Sequence, residues 1–462
     1  MSEKLTLNKK AIRKDILILI IPVILESVFG ILAEIVSAGL VGRLSAVAVA
    51  SQGISVRVTS LLNVLWTGVR VGSMVYYVRL IGDARYGELK QGFKNICTVT
   101  IGIALAFVAI ILLFPTQVVA TFTTDPELVP AARAYLCIVI LGLPAWVLMK
   151  MNGAMFNAMG DTKTPMYMQV MVNIINIGLG YLLIFVLRWD FYGAAIATAI
   201  SQISGGVVGS ILLNRKKYFK QAGKTGWKIA DKESIKQTFF KAIPIAMEEG
   251  FWQLSAIVMT RVILVFGTVS YAGYQLATSA ETMTEMWVYG FNVAAVALAG
   301  RAKGEKNGPL LREYYKQQMT MNGIISGVAG LVMILFPYFL MSTVTDNPAL
   351  KDIGVVYLIT MGIIYIPQNI QRTMKGTIYG SLNDTKAPMI IAGIGIWLVR
   401  VPASLLAAYV FKWPVWSIWI IIGVDQCIRF ILMHLYMKHK DVMHIVENEQ
   451  KKEAATKVET AN

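Results

Sequence analysis

Long uninterrupted apolar stretches constrain the fold of this chain more than any other feature of its sequence. Ile96–Phe114, Met166–Leu187 and Val415–Leu435 each approach the ~20 residues that a helix needs to cross a hydrocarbon core of ~30 Å. Charged residues make up only 15% of the chain, against roughly 25% in soluble domains. No strand pattern competes with these stretches, so helices must satisfy the backbone within a bilayer. The sequence therefore predicts an all-α integral membrane protein.

Twelve transmembrane helices are predicted from these stretches and from the turn signals between them. They lie near 16–41, 46–78, 95–114, 132–158, 166–187, 193–213, 239–266, 270–300, 317–341, 352–374, 388–411 and 415–437. The first apolar segment is long and lacks a small-residue cleavage site, which predicts that it stays in the membrane as the first span.

The distribution of the 43 Lys and Arg residues predicts the orientation of the spans. With the N-terminus inside, 33 fall on the cytoplasmic side, including two after the fourth span and three after the tenth, and five fall in external loops. The positive-inside rule describes this asymmetry, so the net charge of +16 reflects topology rather than nucleic-acid binding. The remaining five lie within spans: Arg57, Arg70, Arg261, Arg400 and Arg429. We expect a multi-pass protein of the cell membrane with both termini cytoplasmic.

The chain is predicted to form two lobes of six spans each. The predicted segments are a cytoplasmic N-terminal segment at 1–15, an N-lobe at 16–213, a linker at 214–238, a C-lobe at 239–437 and a cytoplasmic tail at 438–462. The basic region Asn214–Ala242 forms either an amphipathic surface helix through Trp227, Ile229, Ile235 and Phe239–Phe240 or a plain solvated linker. The polar residues Glu447–Asn462 are predicted to be frayed.

The two lobes are related by an internal repeat at an offset of 222–223 residues. Met151–Met166 overlays Met374–Met389 with seven of sixteen positions identical, and Glu26 overlays Glu248. Six spans separate equivalent points, so both halves have the same orientation and form a parallel repeat. Transporters built this way place the substrate path between their lobes and rock one lobe against the other.

A similar turn occurs once in each half, at Asp161–Pro165 and at Asp384–Pro388. We expect each aspartate to cap the following helix, each proline to start that helix and each lysine to anchor the turn on the cytoplasmic side. A role in gating is the alternative.

The sequence resembles the multidrug and toxic compound extrusion family. The resemblance rests on the two-lobed pattern, on the turn Gly160–Pro165 followed by Asn173–Phe185, and on Tyr271–Lys303 after span seven. It covers Lys14 to about Met437, and it implies a V-shaped fold of twelve helices. It also implies export of bulky, often cationic and aromatic small molecules in exchange for inward Na⁺ or H⁺. We expect the protein to act in the lipid bilayer as a monomer.

Acidic residues inside apolar spans are candidates for ion coupling, because each costs at least ~2.5–3.5 kcal/mol to insert. A buried carboxylate can take up a proton, or stay ionised and bind Na⁺ or an organic cation. Glu26 and Glu248 are equivalent in the repeat, and Glu281 and Glu285 share one helix face at a spacing of four. The alternative is that these acids form internal ion pairs with arginine: Arg57, Arg70 or Arg261 for the first two, and a neighbouring arginine for the second two.

The resemblance implies a role for further residues. Glu34 lies where many family members have the first-helix aspartate of the N-lobe cation site, and Asn173 and Asn176 are its expected partners. Gly180 stands where several members have a second polar residue. The predicted coupling residues are therefore Glu26, Glu34, Glu248, Glu281, Asn173 and Asn176.

Aromatic and acidic residues near these positions are predicted to line the substrate cavity. The set comprises Glu249, Glu285, Trp252, Trp287 and Tyr289. Aromatic faces combined with carboxylates suit organic cations, although aromatics also pack in membrane cores or face lipid. Asp425 and Arg429 are predicted to form a structural pair at a spacing of four.

No enzyme motif was found, and no cofactor is predicted beyond the coupling ion. His434, His439 and His444 recur at spacings of five, so they share no helix face as metal ligands. No nucleotide-binding motif occurs in a suitable context, so the energy must come from an ion gradient or the membrane potential. Two other functions stay open: a lipid-linked saccharide flippase of the same superfamily, which the five arginines within spans favour, and a membrane-embedded enzyme.

Overall fold

A computed structural model describes residues 9–123, 125–221 and 232–461, and these residues are largely helical with no strand among them. The helices that correspond to spans one to six are α1 (Lys9–Gly42), α2 (Ala46–Gly82), α3 (Tyr86–Leu113), α4a (Leu128–Ile140) with α4b (Leu143–Ala158), α5 (Lys163–Tyr181) and α6 (Asp190–Asn214). Those that correspond to spans seven to twelve are α7 (Lys232–Leu264), α8a (Thr268–Thr284) with α8b (Met286–Gly304), α9 (Gly308–Leu335), α10 (Pro348–Leu382), α11 (Lys386–Gly393) and α12 (Trp416–His439). A further helix, α13 (Ile445–Ala461), ends the described chain.

Apolar character is unevenly distributed among these helices. Within the described ranges nine are long and apolar enough to cross a membrane, and ten if α4a and α4b, bent by 45°, count as one span. Spans seven and eight are not among them, and span eight is interrupted at Glu285, which leaves pieces of 17 and 19 residues. Large apolar side chains such as Leu113, Ile363 and Leu398 are 72%, 69% and 71% exposed. Surfaces of this kind belong in lipid, so the all-α membrane fold is confirmed.

Several helices extend beyond the predicted spans. α3 begins at Tyr86 rather than 95, and α9 begins at Gly308 rather than 317. α10 continues to Leu382, past the predicted end at 374. The added turns carry charged residues, which lower the local hydropathy without breaking the helix.

The repeat is visible in the backbone. Gly160 and Asn383, which are equivalent in the repeat, both adopt the left-handed conformation, with φ of 74° and 57°. Glycine and asparagine tolerate this conformation best. π-Helical turns follow at the equivalent segments Leu182–Val186 and Leu406–Val410. A sequence repeat is therefore also a repeat of local structure.

The predicted capping by the two turn aspartates is confirmed. Asp161 Oδ1 accepts a hydrogen bond from the Thr164 amide at 3.0 Å, and Asp384 Oδ1 accepts one from the Lys386 amide at 2.8 Å. Asp161 also forms an ion pair with Lys216 at 2.6 Å. The turns therefore fix the starts of α5 and α11.

The chain divides into two compact units. The N-unit is Pro22–Ala246, and the C-unit is Met1–Ile21 together with Met247–Asn462. The division falls inside α1 and α7, and the predicted lobe, linker and tail boundaries stay predictions. Each unit has its own apolar core, built around Trp66 and Leu136 in the N-unit and around Leu358 and Trp419 in the C-unit.

The end of the chain differs from the prediction. The residues expected to be frayed from Glu447 onward form α13, in which Glu447 pairs with Arg312 at 2.5 Å and Glu449 pairs with Lys303 at 2.9 Å. The prediction of a frayed tail is therefore wrong for the described residues, because ion pairs and the buried Val446 hold the helix. Residues 222–231 lie outside the described ranges, and with them most of the predicted surface helix.

Candidate functional site

Glu281 lies in α8a and is the most buried of the predicted coupling residues, with 7% of its surface exposed. The Tyr357 hydroxyl donates to its Oε2 at 2.5 Å, and the Gln368 amide donates to its Oε1 at 3.0 Å. Among the described residues it forms no ion pair. The carboxylate is therefore held by neutral donors alone, in a setting where a charge is costly.

Glu285 follows one turn later, at the break between α8a and α8b. It accepts a hydrogen bond from Gln368 Nε2 at 2.7 Å and pairs with Arg372 Nη1 at 3.0 Å. The nitrogen of Gln368 thus bridges both carboxylates. The expectation that Glu281 and Glu285 share one face is confirmed, and the predicted alternative of pairing with an arginine holds for Glu285 alone.

The interrupted helix is supported by aromatic contacts. The hydroxyls of Thr284 and Tyr365 are 2.7 Å apart, and Trp287 packs edge-on against Tyr365 with ring centroids 6.4 Å apart. Trp287 therefore packs against a tyrosine of α10 that contacts the last residue of α8a. Tyr289 is 63% exposed, so it belongs to the surface of the C-unit.

Glu248 on α7 forms an ion pair with Lys375 Nζ at 2.7 Å and accepts a hydrogen bond from Tyr379 at 3.2 Å. The predicted alternative partners Arg57, Arg70 and Arg261 are therefore wrong for this residue. Lys375 was placed with the cytoplasmic cations after span ten, and so was Arg372. Lys375 lies inside α10 because this helix continues past the predicted end at 374, and Arg372 lies before that end, within the predicted span itself.

The partners on α10 form one stripe. Tyr365, Gln368, Arg372, Lys375 and Tyr379 follow each other at spacings of three and four, which places them on one helix face. The stripe crosses the predicted end of span ten at 374, so sequence reasoning missed it as a unit. The same periodicity, read through the apparent end of the span, is the signal that would have revealed it.

Asp425 on α12 is fully buried between two arginines. Arg400 Nη2 lies 2.6 Å and Arg429 Nε lies 2.9 Å from its carboxylate oxygens. The predicted pair of Asp425 and Arg429 is confirmed, and Arg400 is an additional member. Both guanidinium groups lie over the ring of Trp252, at 4.7 and 5.6 Å from its centroid.

A small polar cavity of about 40 Å³ adjoins these residues in the C-unit. Its lining includes Glu248, Trp252, Arg372, Lys375 and Arg429. Because a single water needs roughly 10–15 Å³ on this measure, the cavity has room for about three water-sized groups and is too small for a bulky compound.

The N-unit candidates are not brought together in the same way. Glu34 is exposed and Glu26 half-buried, and neither forms a hydrogen bond or ion pair with another described residue. Asn173 donates to the Phe29 carbonyl at 3.0 Å, and Asn176 donates to Thr198 at 3.1 Å. Neither asparagine therefore forms the expected hydrogen bond with the Glu34 carboxylate.

Lys150 on α4b is a residue of the N-unit that sequence reasoning missed. It was counted among the cytoplasmic cations although position 150 falls within the predicted span 132–158, and in the structure it lies inside α4b and over the ring of Trp146, at 5.5 Å from the centroid. It interacts electrostatically with Glu26, Arg70 and Glu34. Glu249 of the C-unit is half-buried and has no hydrogen bond or ion pair within the described part of the chain.

Comparison with known proteins gives consistent results along the chain. The family model MatE matches residues 22–182 and 244–406, once in each half, and the model of the lipid II flippase MurJ matches residues 125–267. A probable multidrug resistance protein NorM from Thermotoga maritima is 25% identical over 92% of both chains. A probable multidrug resistance protein YoeA from Bacillus subtilis is 22% identical over 95% of this chain and 97% of that one.

Solved structures share the fold. The MATE transporter VcmN from Vibrio cholerae, in its bent form, superposes with a TM-score of 0.85 at 17% identity, covering 95% of this chain and 99% of that one. A MOP superfamily transporter from Pyrococcus furiosus superposes with a TM-score of 0.82 at 17% identity, covering 96% and 99%. At this identity the likeness concerns the arrangement of helices.

Proposed function

Because this chain belongs to the MatE family of membrane transporters, we propose that it is an efflux antiporter that exports organic, often cationic, compounds in exchange for H⁺ or Na⁺. Relatives from two bacteria are named probable multidrug resistance proteins, which supports the same class of substrates here. In this proposal the protein works as a monomer of the cell membrane with cytoplasmic termini and needs no cofactor beyond the coupling ion.

The environment of Glu281 is the observation that carries the proposal. Its carboxylate is buried and held by Tyr357 and Gln368, both neutral. A proton or Na⁺ bound here neutralises a buried charge without breaking an existing ion pair, whereas Glu248 and Glu285 would have to release a cation. Glu281 is therefore the residue of the C-unit best suited to exchange an ion.

Gln368 supplies a means of responding to that ion. Its Oε1 is buried and has no hydrogen-bond partner among the described residues, while its nitrogen bridges Glu281 and Glu285. A protonated Glu281 can donate to this oxygen, and Na⁺ prefers oxygen ligands of this kind. Protonation or Na⁺ binding would rearrange the hydrogen bonds at the break between α8a and α8b, where a discontinuous helix can change direction.

The proposal is tested with the purified protein in proteoliposomes and the fluorescent organic cation ethidium. Transport is measured under an imposed pH gradient and, separately, under an imposed Na⁺ gradient. We expect one gradient to drive accumulation and Glu281→Gln to abolish it. Glu305→Gln is the matched control, because Glu305 is an exposed glutamate paired with Arg301 within one helix end. Full activity of Glu281→Gln would contradict the assignment.

A lipid-linked saccharide flippase is the second candidate. The match of residues 125–267 to the lipid II flippase model favours it, as do the buried arginines Arg400 and Arg429. A flippase would equilibrate a labelled lipid-linked saccharide between the leaflets of a vesicle, and ethidium would respond to neither gradient. Together these two results would contradict the antiporter proposal and support a flippase.

A further inference from the structure

The C-unit contains a buried cluster of charges that does not balance. Asp425 is shared by Arg400 and Arg429, and the neighbouring Glu248 is paired with Lys375 at 2.7 Å. The cluster thus holds three cations and two carboxylates.

The excess positive charge is permanent and poorly solvated. Arginine stays protonated in proteins, so neither guanidinium can lose its charge. The side chains of Arg400 and Arg429 are 5% and 6% exposed, and that of Asp425 is 0% exposed. The ring of Trp252 offers both guanidinium groups a favourable face, which reduces the cost of burial but supplies no negative charge.

Other acids near the cluster do not supply the missing charge. Glu285 is engaged by Arg372 at 3.0 Å. Glu281 is held by Tyr357 and Gln368 and, among the described residues, forms no ion pair with a cation of the cluster. Glu249 is next to Glu248 in sequence, but it has no ion pair within the described residues, and adjacent positions of a helix point in different directions.

The small cavity adjoins this cluster at Arg429, Lys375 and Glu248. Arg429, Lys375 and Arg372 line it together with a single acid, Glu248. The amides of Gln371 and Gln426, which are hydrogen-bonded to each other at 2.5 Å, complete the polar wall. Its volume of about 40 Å³ suits a small ion and excludes a bulky compound.

We propose that this cavity binds a small monovalent anion, either a free halide or a small carboxylate, as the counter-charge of Arg429, which shares Asp425 with Arg400. The site goes beyond the proposed exchange of a cation at Glu281. Its test measures binding rather than transport, so it can fail while the antiporter proposal stands, and the reverse is equally possible.

The test is the thermal unfolding of the purified full-length protein in detergent, with chloride titrated against gluconate at constant Na⁺ and ionic strength. We expect chloride to raise Tm saturably, by at least about 2 °C, since a ligand of the folded state stabilises it. Acetate in a parallel titration distinguishes the two sources. A rise with chloride alone identifies a halide site, and a rise with acetate identifies a site for carboxylates.

Two variants give opposite expectations. Arg429→Gln leaves one cation for Asp425, so its Tm should not depend on chloride or acetate. Asp425→Asn removes a carboxylate and should enlarge the response to the anion. Arg79→Gln, which changes an exposed arginine paired with Asp83, should respond like the unchanged protein.

Two results would overturn the proposal. One is the absence of any response to chloride and acetate in both the unchanged protein and Asp425→Asn. The other is an undiminished response in Arg429→Gln. If either variant fails to fold, bromide soaked into crystals of the unchanged protein decides the matter: an anomalous peak beside Arg429 supports the site, and its absence rejects it.

Discussion

At the scale of single residues, three glutamates of the C-unit differ in the partners of their carboxylates. Glu248 faces a lysine, Glu285 faces an arginine, and Glu281 faces a tyrosine and a glutamine. A paired carboxylate is held in its charged form by its partner, whereas a carboxylate held by neutral donors can change its charge more freely. The assignment of the coupling role to Glu281 follows from this contrast.

Gln368 is expected to be as important for transport as the acid that it positions. Gln368→Ala removes a donor shared by two carboxylates, and a hydrogen bond to a charged group contributes roughly 1.5–3 kcal/mol. We therefore expect gradient-driven efflux to fall about tenfold or more, measured as the initial rate in proteoliposomes. Gln275→Ala, on the exposed side of α8a, should stay near the rate of the unchanged protein. An unaltered rate in Gln368→Ala would remove this residue from the mechanism.

Asp161 is expected to make the stability of its turn depend on pH. Burial alone would raise the pKa of its carboxyl, but hydrogen bonds from Lys216 and Thr164 outweigh burial and hold the pKa below its ordinary value. A depressed pKa means that the folded protein prefers the ionised form. The contribution to stability is therefore present at neutral pH and is lost as the pH falls below about 4.

Thermal unfolding of Asp161→Asn at a series of pH values checks this expectation. At neutral pH the variant should be less stable than the unchanged protein, and the difference should shrink as the pH falls through that range. A difference that stays constant, or grows, on acidification would show that the ionised carboxylate is not what stabilises the turn.

At the scale of elements, α10 organises the C-unit. Its polar stripe binds acids from α7 and α8a, while another part of its surface packs tightly on α9. There Gly362 approaches Gly330 so closely that a Cβ atom on Gly362 would lie 2.8 Å from the Gly330 carbonyl oxygen. Close crossings of this kind depend on small residues.

Gly362→Ala is therefore expected to destabilise the C-unit, because α9 and α10 must separate to accommodate the methyl group. Overpacking typically costs about 1–3 kcal/mol, which should appear as a drop in Tm of several degrees. Gly323→Ala on α9 is the control, since its nearest neighbour outside the helix is the Ile370 Cδ1 atom at an ordinary 3.8 Å. Equal Tm values for the two variants would contradict the close packing.

At the scale of the whole molecule, hydropathy, charge distribution and the repeat were sufficient to predict the helical membrane fold. Each depends on residues near one another in sequence, or on a comparison of the chain with itself. The spacing of Glu281 and Glu285 likewise predicted a shared face. The partners of the acids were harder to predict, because Lys375 lies 127 positions from Glu248 and only the folded packing joins them.

The interactions that sequence reasoning missed have a common physical origin. Arg372, Lys375 and Lys150 were counted with the cytoplasmic cations, because charged residues usually mark the end of a span. In the structure they lie within helices, where acids or aromatic rings accompany them. Helix α13 was missed because its stability comes from ion pairs with distant residues rather than from its own composition.

The most direct test of the central claim measures ion release by the purified protein when substrate binds. Ethidium is added to the protein in weakly buffered detergent solution, with a pH indicator and a Na⁺-sensitive dye as readouts. If Glu281 exchanges the coupling ion, substrate binding must displace that ion, since linkage between the two ligands is reciprocal. We predict release of H⁺ or Na⁺ from the unchanged protein and none from Glu281→Gln. Equal release from both proteins would contradict the account.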